Sequence, residues 1–187
     1  SVVPVACAEG LRPTSERVRE TVFDWLTHLF GTLEGCDALD MFAGSGAMGL
    51  EAASRGADYV DWLDIHRQGI AGIRQALTRL GADDHKQARV ADAFRFLQDA
   101  PRSYDVIFID PPFSLDMQVK AARAALGALK EEGPLYVESP TELLSDEALE
   151  SLGVVRVRSG SAGAVRFELL AKAGSGMAGL VRLSKEE

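Results

Sequence analysis

The chain is poor in the residue types that build disulfide frameworks and metal centres. Among its 187 residues are two cysteines, Cys7 and Cys36, and three histidines, His28, His66 and His85. Two thiols are too few for a stapled scaffold, and the five residues lack the spacing of a zinc site, so they are read as structural or surface groups and no metal is expected. Long hydrophobic runs are missing as well. None approaches the roughly 18 residues that span a bilayer, and Ser1-Val2-Val3-Pro4 lacks the basic start of a signal peptide, so a cytoplasmic protein with no membrane contact is expected. Positive charge is also scarce. Twenty Lys and Arg against 28 Asp and Glu leave a net charge of −8, which argues against a surface that grips nucleic acid everywhere. Any such contact must be local, and Arg12, Arg17 and Arg19 form one local basic patch.

What is present is a regular alternation of short apolar runs and helical periods, on a length that suits one domain with its own core. Residues 1–11 have no helical period and contain Pro4 and Gly10, so they read as an extended lead-in. Arg12-Pro13-Thr14-Ser15 then opens a helix: Thr14 or Ser15 can cap it, and Val18, Val22, Trp25, Leu26 and Leu29 recur at spacings of three and four. The next run, Ala38-Leu39-Asp40-Met41-Phe42, is a buried strand by composition. It leads into Ala43-Gly44-Ser45-Gly46-Ala47-Met48-Gly49, where Gly44, Gly46 and Gly49 fit G-x-G-x-x-G between a strand and a helix. Such a turn lets a ligand approach the backbone and meet the N–H groups of a helix start. Asp40, an acid among apolar residues just ahead of it, needs a partner close by.

Residues 58–64 read as a second strand ending in Asp64, 20 residues after Gly44, the offset at which an acid reaches ribose hydroxyls. Gln68 to Leu80 carries a helical stripe, Ala88 to Asp92 a third strand, and Tyr104-Asp105-Val106-Ile107-Phe108-Ile109 a fourth, stopped by Asp110-Pro111-Pro112-Phe113. Strand-then-helix units predict a parallel sheet, whose strands all end on one edge, so Asp64, Asp92 and Asp110 should face one crevice. Met117 to Leu129 and Leu143 to Leu152 are expected helices, and Gly133 to Ser139 a fifth strand. Val154 to Arg158 and Ala164 to Leu170 alternate around Gly160-Ser161-Ala162-Gly163, which reads as an antiparallel hairpin with its turn at 160–163. Residues 12–172 thus form one domain, and 173–187 are expected to be a flexible tail.

Three functions suit this pattern. A nicotinamide dehydrogenase would need a proton donor beside the hydride acceptor, and no histidine, tyrosine or lysine stands out at a strand end. Methyl transfer from S-adenosylmethionine uses the same crevice and makes sense of Asp-Pro-Pro-Phe. An exocyclic amine on a base is a poor nucleophile, and acceptors such as Asp110 and the Pro111 carbonyl can localise and aim its lone pair. Phe113 offers a stacking face for a base turned out of structured nucleic acid. The third function is a non-catalytic domain that binds cofactor or RNA.

Arg12 to Glu20, Leu39 to Ala52 and Asp110 to Phe113 together resemble the bacterial small-subunit ribosomal RNA guanine-N2 methyltransferase family, over residues 10–172. The resemblance implies an α/β Rossmann-like class I methyltransferase, with a mostly parallel seven-stranded sheet and an antiparallel C-terminal hairpin. It also implies an S-adenosylmethionine site at Thr14, Asp40, Phe42, Ala43, Gly44, Ser45, Gly46, Gly49, Asp64, Ile65, Asp92 and Ala93. Asp110, Pro111, Pro112 and Phe113 would hold the target amine, and Arg12, Arg17 and Arg19 would contact RNA. The implied partner is ribosomal RNA or a partly assembled small subunit, acted on by a monomer; adenine N6 in DNA or RNA and a protein amide are the alternative acceptors. Three departures stand out: the family's basic glycine-rich hairpin has no counterpart in residues 1–11, its usual glutamate is Asp64, and a usual asparagine is Gln75 or Ala76.

Overall fold

A computed structural model describes residues 14–112 and 115–180 of the chain. In order, the elements are α1 (Thr14–Phe30), β1 (Ala38–Asp40), α2 (Ala47–Ser54), β2 (Val60–Asp64), α3 (Arg67–Arg79), β3 (Lys86–Val90), α4 (Ala93–Gln98), β4 (Val106–Ile109), α5 (Leu115–Leu126), β5 (Leu135–Ser139), α6 (Asp146–Leu152), β6 (Val154–Ala162) and β7 (Val165–Lys172). The strands form one seven-stranded sheet in the order β3-β2-β1-β4-β5-β7-β6. The first five run parallel, and β7 lies antiparallel between β5 and β6. This is the expected mostly parallel sheet closed by an antiparallel pair.

The chain winds outward from β1 to β3, then returns to β4 and winds the other way. Because a parallel crossover is right-handed, reversing direction sends the helices to the opposite face. The core divides accordingly. Val18, Val22, Phe23 and Leu26 of α1, Ala52 of α2, and Ile70, Ile73 and Leu77 of α3 pack on Val60, Trp62, Val106 and Phe108. On the other face, Ala93 of α4, Ala121, Ala122 and Ala125 of α5, and Leu149 and Leu152 of α6 cover Leu39, Leu63, Ile107 and Ile109. Neighbours such as Ile107 and Phe108 thus serve opposite layers, as strand alternation requires. The point where the winding reverses, between β1 and β4, is where an open α/β sheet leaves a crevice at its carboxyl edge.

Three expectations need correction. The hairpin turn falls at Gly163-Ala164, and Gly160 and Ser161 belong to β6. Gly160 is a packing glycine: a Cβ there would lie 2.8 Å from the Phe167 ring and 3.3 Å from Trp25. Helix α6 starts at Asp146 because the backbone ahead of it is held elsewhere. The buried Glu168 carboxylate accepts the Leu144 N–H at 3.0 Å, and Arg156 donates to the Leu144 carbonyl at 2.6 Å; Ser145 then caps the helix. Finally, residues 173–180 of the expected flexible tail pack on the domain. A helical turn at 176–180 receives Glu132 at its Gly176 and Met177 N–H groups, and Met177 is buried against Val157 and Ala171. The lead-in and residues 181–187 lie outside the described residues.

Candidate active site

The carboxyl ends of the five parallel strands open into one cavity of about 740 Å³. Its glycine wall is shaped by close packing. Gly46 has φ of +79°, its carbonyl accepts the Trp62 Nε1–H at 3.1 Å, and a Cβ on it would press on Ile73. A Cβ on Gly49 would lie 2.2 Å from the same indole nitrogen. Both glycines therefore serve the packing of the turn on β2 and α3. Gly44 differs: a Cβ there would meet no atom within 4 Å, so the cavity side of the turn is open space.

The acids at the strand ends divide into wall and support. Asp64 is on the wall, with Oδ2 accepting the Gly44 N–H and Oδ1 the His66 N–H, each at 2.8 Å. The carboxylate is thereby aimed, and its remaining lone pairs can accept hydroxyls. Asp92 is also on the wall and caps α4 by accepting the Arg95 N–H. Asp40 lies one layer behind, 4% exposed, with Oδ2 on the Gly49 N–H at 3.0 Å. Burial raises its pKa to about 7, opposed by that N–H and reinforced by Asp64.

Asp110 ends β4 on the wall, followed by Pro111 and Pro112, which also line it. Its side chain opens to the cavity while protein surrounds it elsewhere. Desolvation raises its pKa to about 8, with further contributions from the Glu138 carboxylate, a hydrogen bond shared with it, and Asp40. Glu138 accepts the Tyr136 hydroxyl at 2.6 Å. No Lys or Arg among the described residues lines the cavity. Carboxyl groups crowded together on a wall without Lys or Arg favour a positively charged ligand.

Of the expected cofactor contacts, Phe42, Ala43, Gly44, Ser45, Asp64, Ile65, Asp92 and Ala93 line the cavity. Ile65 is 66% exposed there, an apolar surface awaiting a partner. Asp40, Gly46 and Gly49 do not line it and act as supports. Thr14 begins α1, its side chain outside the described residues, as are Arg12 and Phe113. Arg17 is exposed on α1, and Arg19 pairs with Glu51 of α2 at 3.4 Å. Glu138 and Ser139 were not expected, although β5, like its neighbours, carries an acid near its end.

An open glycine turn, an aimed acid, an exposed isoleucine and a floor of carboxyl groups that a cation would ionise fit S-adenosylmethionine, a nucleoside carrying a sulfonium cation. Sheet order and site together define a class I methyltransferase of Rossmann-like fold. The same fold is seen in magnesium protoporphyrin IX methyltransferase of Synechocystis PCC 6803, at 15% identity and a TM-score of 0.71 over 86% of this chain and 80% of that one. Residues 2–170 match the family described as conserved hypothetical protein 95, and the chain belongs to that family. Ribosomal RNA small subunit methyltransferase D of Escherichia coli K12 is 37% identical over 144 residues, 75% of this chain and 70% of that protein. The solved structure of yhhF from Escherichia coli superposes with a TM-score of 0.75 at 31% identity, over 88% of this chain and 89% of that one.

Proposed function

We propose that this protein methylates the exocyclic N2 amine of a guanine in small-subunit ribosomal RNA. The methyl-transfer fold and the names of the family's relatives support methylation of ribosomal RNA. The observation that carries the amine is a carboxyl group with raised proton affinity, Asp110, standing with Pro111 on the wall of the cofactor cavity.

Bound in this crevice, S-adenosylmethionine would supply an electrophilic methyl group on sulfur. Asp64 would hold the ribose, Ile65 and Ala93 the adenine, and the Gly44-Ser45 backbone the amino-acid end. Asp110 and the Pro111 carbonyl would accept the two N–H bonds of the target amine, keeping its lone pair out of the ring and aimed at the methyl carbon. Forming the new C–N bond makes the amine acidic, and Asp110, whose surroundings favour protonation, would take up the proton. Phe113 would stack on the base. Arg12, Arg17 and Arg19 would meet phosphates, with Arg19 shared between RNA and Glu51.

Small-subunit RNA and partly assembled subunits from cells lacking the protein test this reading. Incubated with purified protein and labelled S-adenosylmethionine, they are expected to yield labelled N2-methylguanosine on nucleoside mass spectrometry. Label on an adenine or a protein would replace guanine with that acceptor. Cofactor binding without label on either substrate would leave a non-catalytic binding domain.

A further inference from the structure

Glu138 is a crevice acid to which the proposed reaction assigns no task. It is held from two directions: the Tyr136 hydroxyl donates to its Oε1 at 2.6 Å, and Gln118 Nε2 donates to its carbonyl at 2.9 Å. Glu138 lines the cavity, and the β4–β5 register that sets Ile109 beside Val137 brings the next residues, Asp110 and Glu138, side by side on its wall. Two adjacent N–H groups on the edge of one flat ring call for acceptors in such an arrangement. Guanine carries that edge, N1–H beside the N2 amine. Adenine instead has an acceptor, N1, beside its amine.

We propose that Glu138 reads the base, its carboxylate accepting N1–H of the guanine whose N2 amine Asp110 holds. The inference rests on the guanine-amine reading above and adds a discriminating residue to it. In the free crevice the Asp110 carboxyl holds its proton tightly, faced by Glu138 and Tyr136 from β5 and by Asp40 from β1. Guanine's two N–H donors replace that proton, which leaves to solvent. A base with an acceptor at N1 sets a lone pair against the Glu138 carboxylate, and a buried polar group left unpaired is what makes a hydrogen-bonding site selective.

The test uses the target RNA once its nucleotide is mapped, carrying either the native guanine or 2-aminopurine, which keeps the amine and has an acceptor at N1. In single-turnover assays the wild-type protein is expected to methylate the guanine RNA at least about a hundredfold faster. Glu138→Gln offers an amide N–H to the N1 acceptor, and its Oε1 can still accept from Tyr136. It should shift the guanine to 2-aminopurine ratio toward 2-aminopurine by about tenfold or more. Glu138→Ala should bring the ratio toward one while lowering both rates. Comparing ratios between proteins cancels the intrinsic reactivity of the two bases, and S-adenosylhomocysteine affinity checks folding. Equal wild-type rates on the two RNAs, or a ratio unchanged in both variants, overturns the role of Glu138 while the guanine-amine reading stands. A folded wild-type protein that leaves the guanine RNA unmethylated overturns both.

Discussion

Two groups of acids on neighbouring strands meet opposite environments. Asp61, in the middle of β2, is 2% exposed and fully engaged: Arg89 Nη1 contacts Oδ1, the Tyr104 hydroxyl donates to Oδ2 at 2.5 Å, and Arg102 Nε lies 3.7 Å away. Aromatic rings brace the cations, with Arg102 stacked 3.6 Å above Tyr59 and Arg89 5.5 Å from Phe96. Asp40, Asp110 and Glu138, at the ends of β1, β4 and β5, have a backbone N–H, a phenol and one another. An acid saturated by the protein's own cations holds strands together. An acid left short of donors is a site for a ligand that brings them.

The comparison predicts that the two groups fail in different ways. The largest effect is expected on stability: Asp61→Ala leaves Arg89 and Tyr104 partly buried without their acceptor and should cost about 3–5 kcal/mol in denaturant unfolding. A loss under about 1 kcal/mol would move Asp61 among the ordinary surface pairs. Next in size, Asp110→Ala should slow methyl transfer by on the order of 10²–10³-fold while S-adenosylhomocysteine affinity stays nearly constant. Equal loss of affinity and rate would erase the division between amine and cofactor.

A smaller effect concerns pH. Asp40 and Asp110 bind protons more tightly in the folded chain than in the unfolded one, with pKa values raised from 3.8 to about 7 and about 8. Their contribution to stability is therefore complete below the unfolded value and is lost as pH rises through the folded values. Unfolding free energy should fall between about pH 4 and 8, chiefly through the buried Asp40 because solvent screens the exposed Asp110, and Asp40→Asn, which can still accept the Gly49 N–H, should flatten part of that slope. An unchanged slope would take Asp40 out of the ligand-awaiting group. The smallest effect belongs to Arg17→Ala, expected to weaken RNA binding a few-fold and to reduce the salt slope by about one; an unchanged slope would make it ordinary helix surface.

Much of this arrangement was legible in sequence because it is locally encoded. Strand-helix alternation implies right-handed parallel crossovers, and those alone bring Asp64, Asp92 and Asp110 to one edge. The α1 stripe came from spacing, and its Val18, Val22 and Leu26 are buried as expected. The missing parts depend on distant partners. Asp61 reads as one charge in an apolar strand until β3 and the loop before β4 supply Arg89, Arg102 and Tyr104. Gly160 imitates a turn because nothing nearby announces that Phe167 and Trp25 need its space. Glu138 sits one residue before the end of its strand, and only the pairing of β4 with β5 brings it to Asp110.

The claim that the crevice acids await a ligand is tested most directly by proton release on cofactor binding. Calorimetric titration of S-adenosylmethionine at pH 7, in buffers of differing ionisation enthalpy, counts the protons exchanged. The sulfonium cation stabilises the ionised carboxylates, so a net release of protons is predicted, smaller with neutral S-adenosylhomocysteine and reduced in Asp110→Asn. Binding enthalpies independent of the buffer would contradict the account.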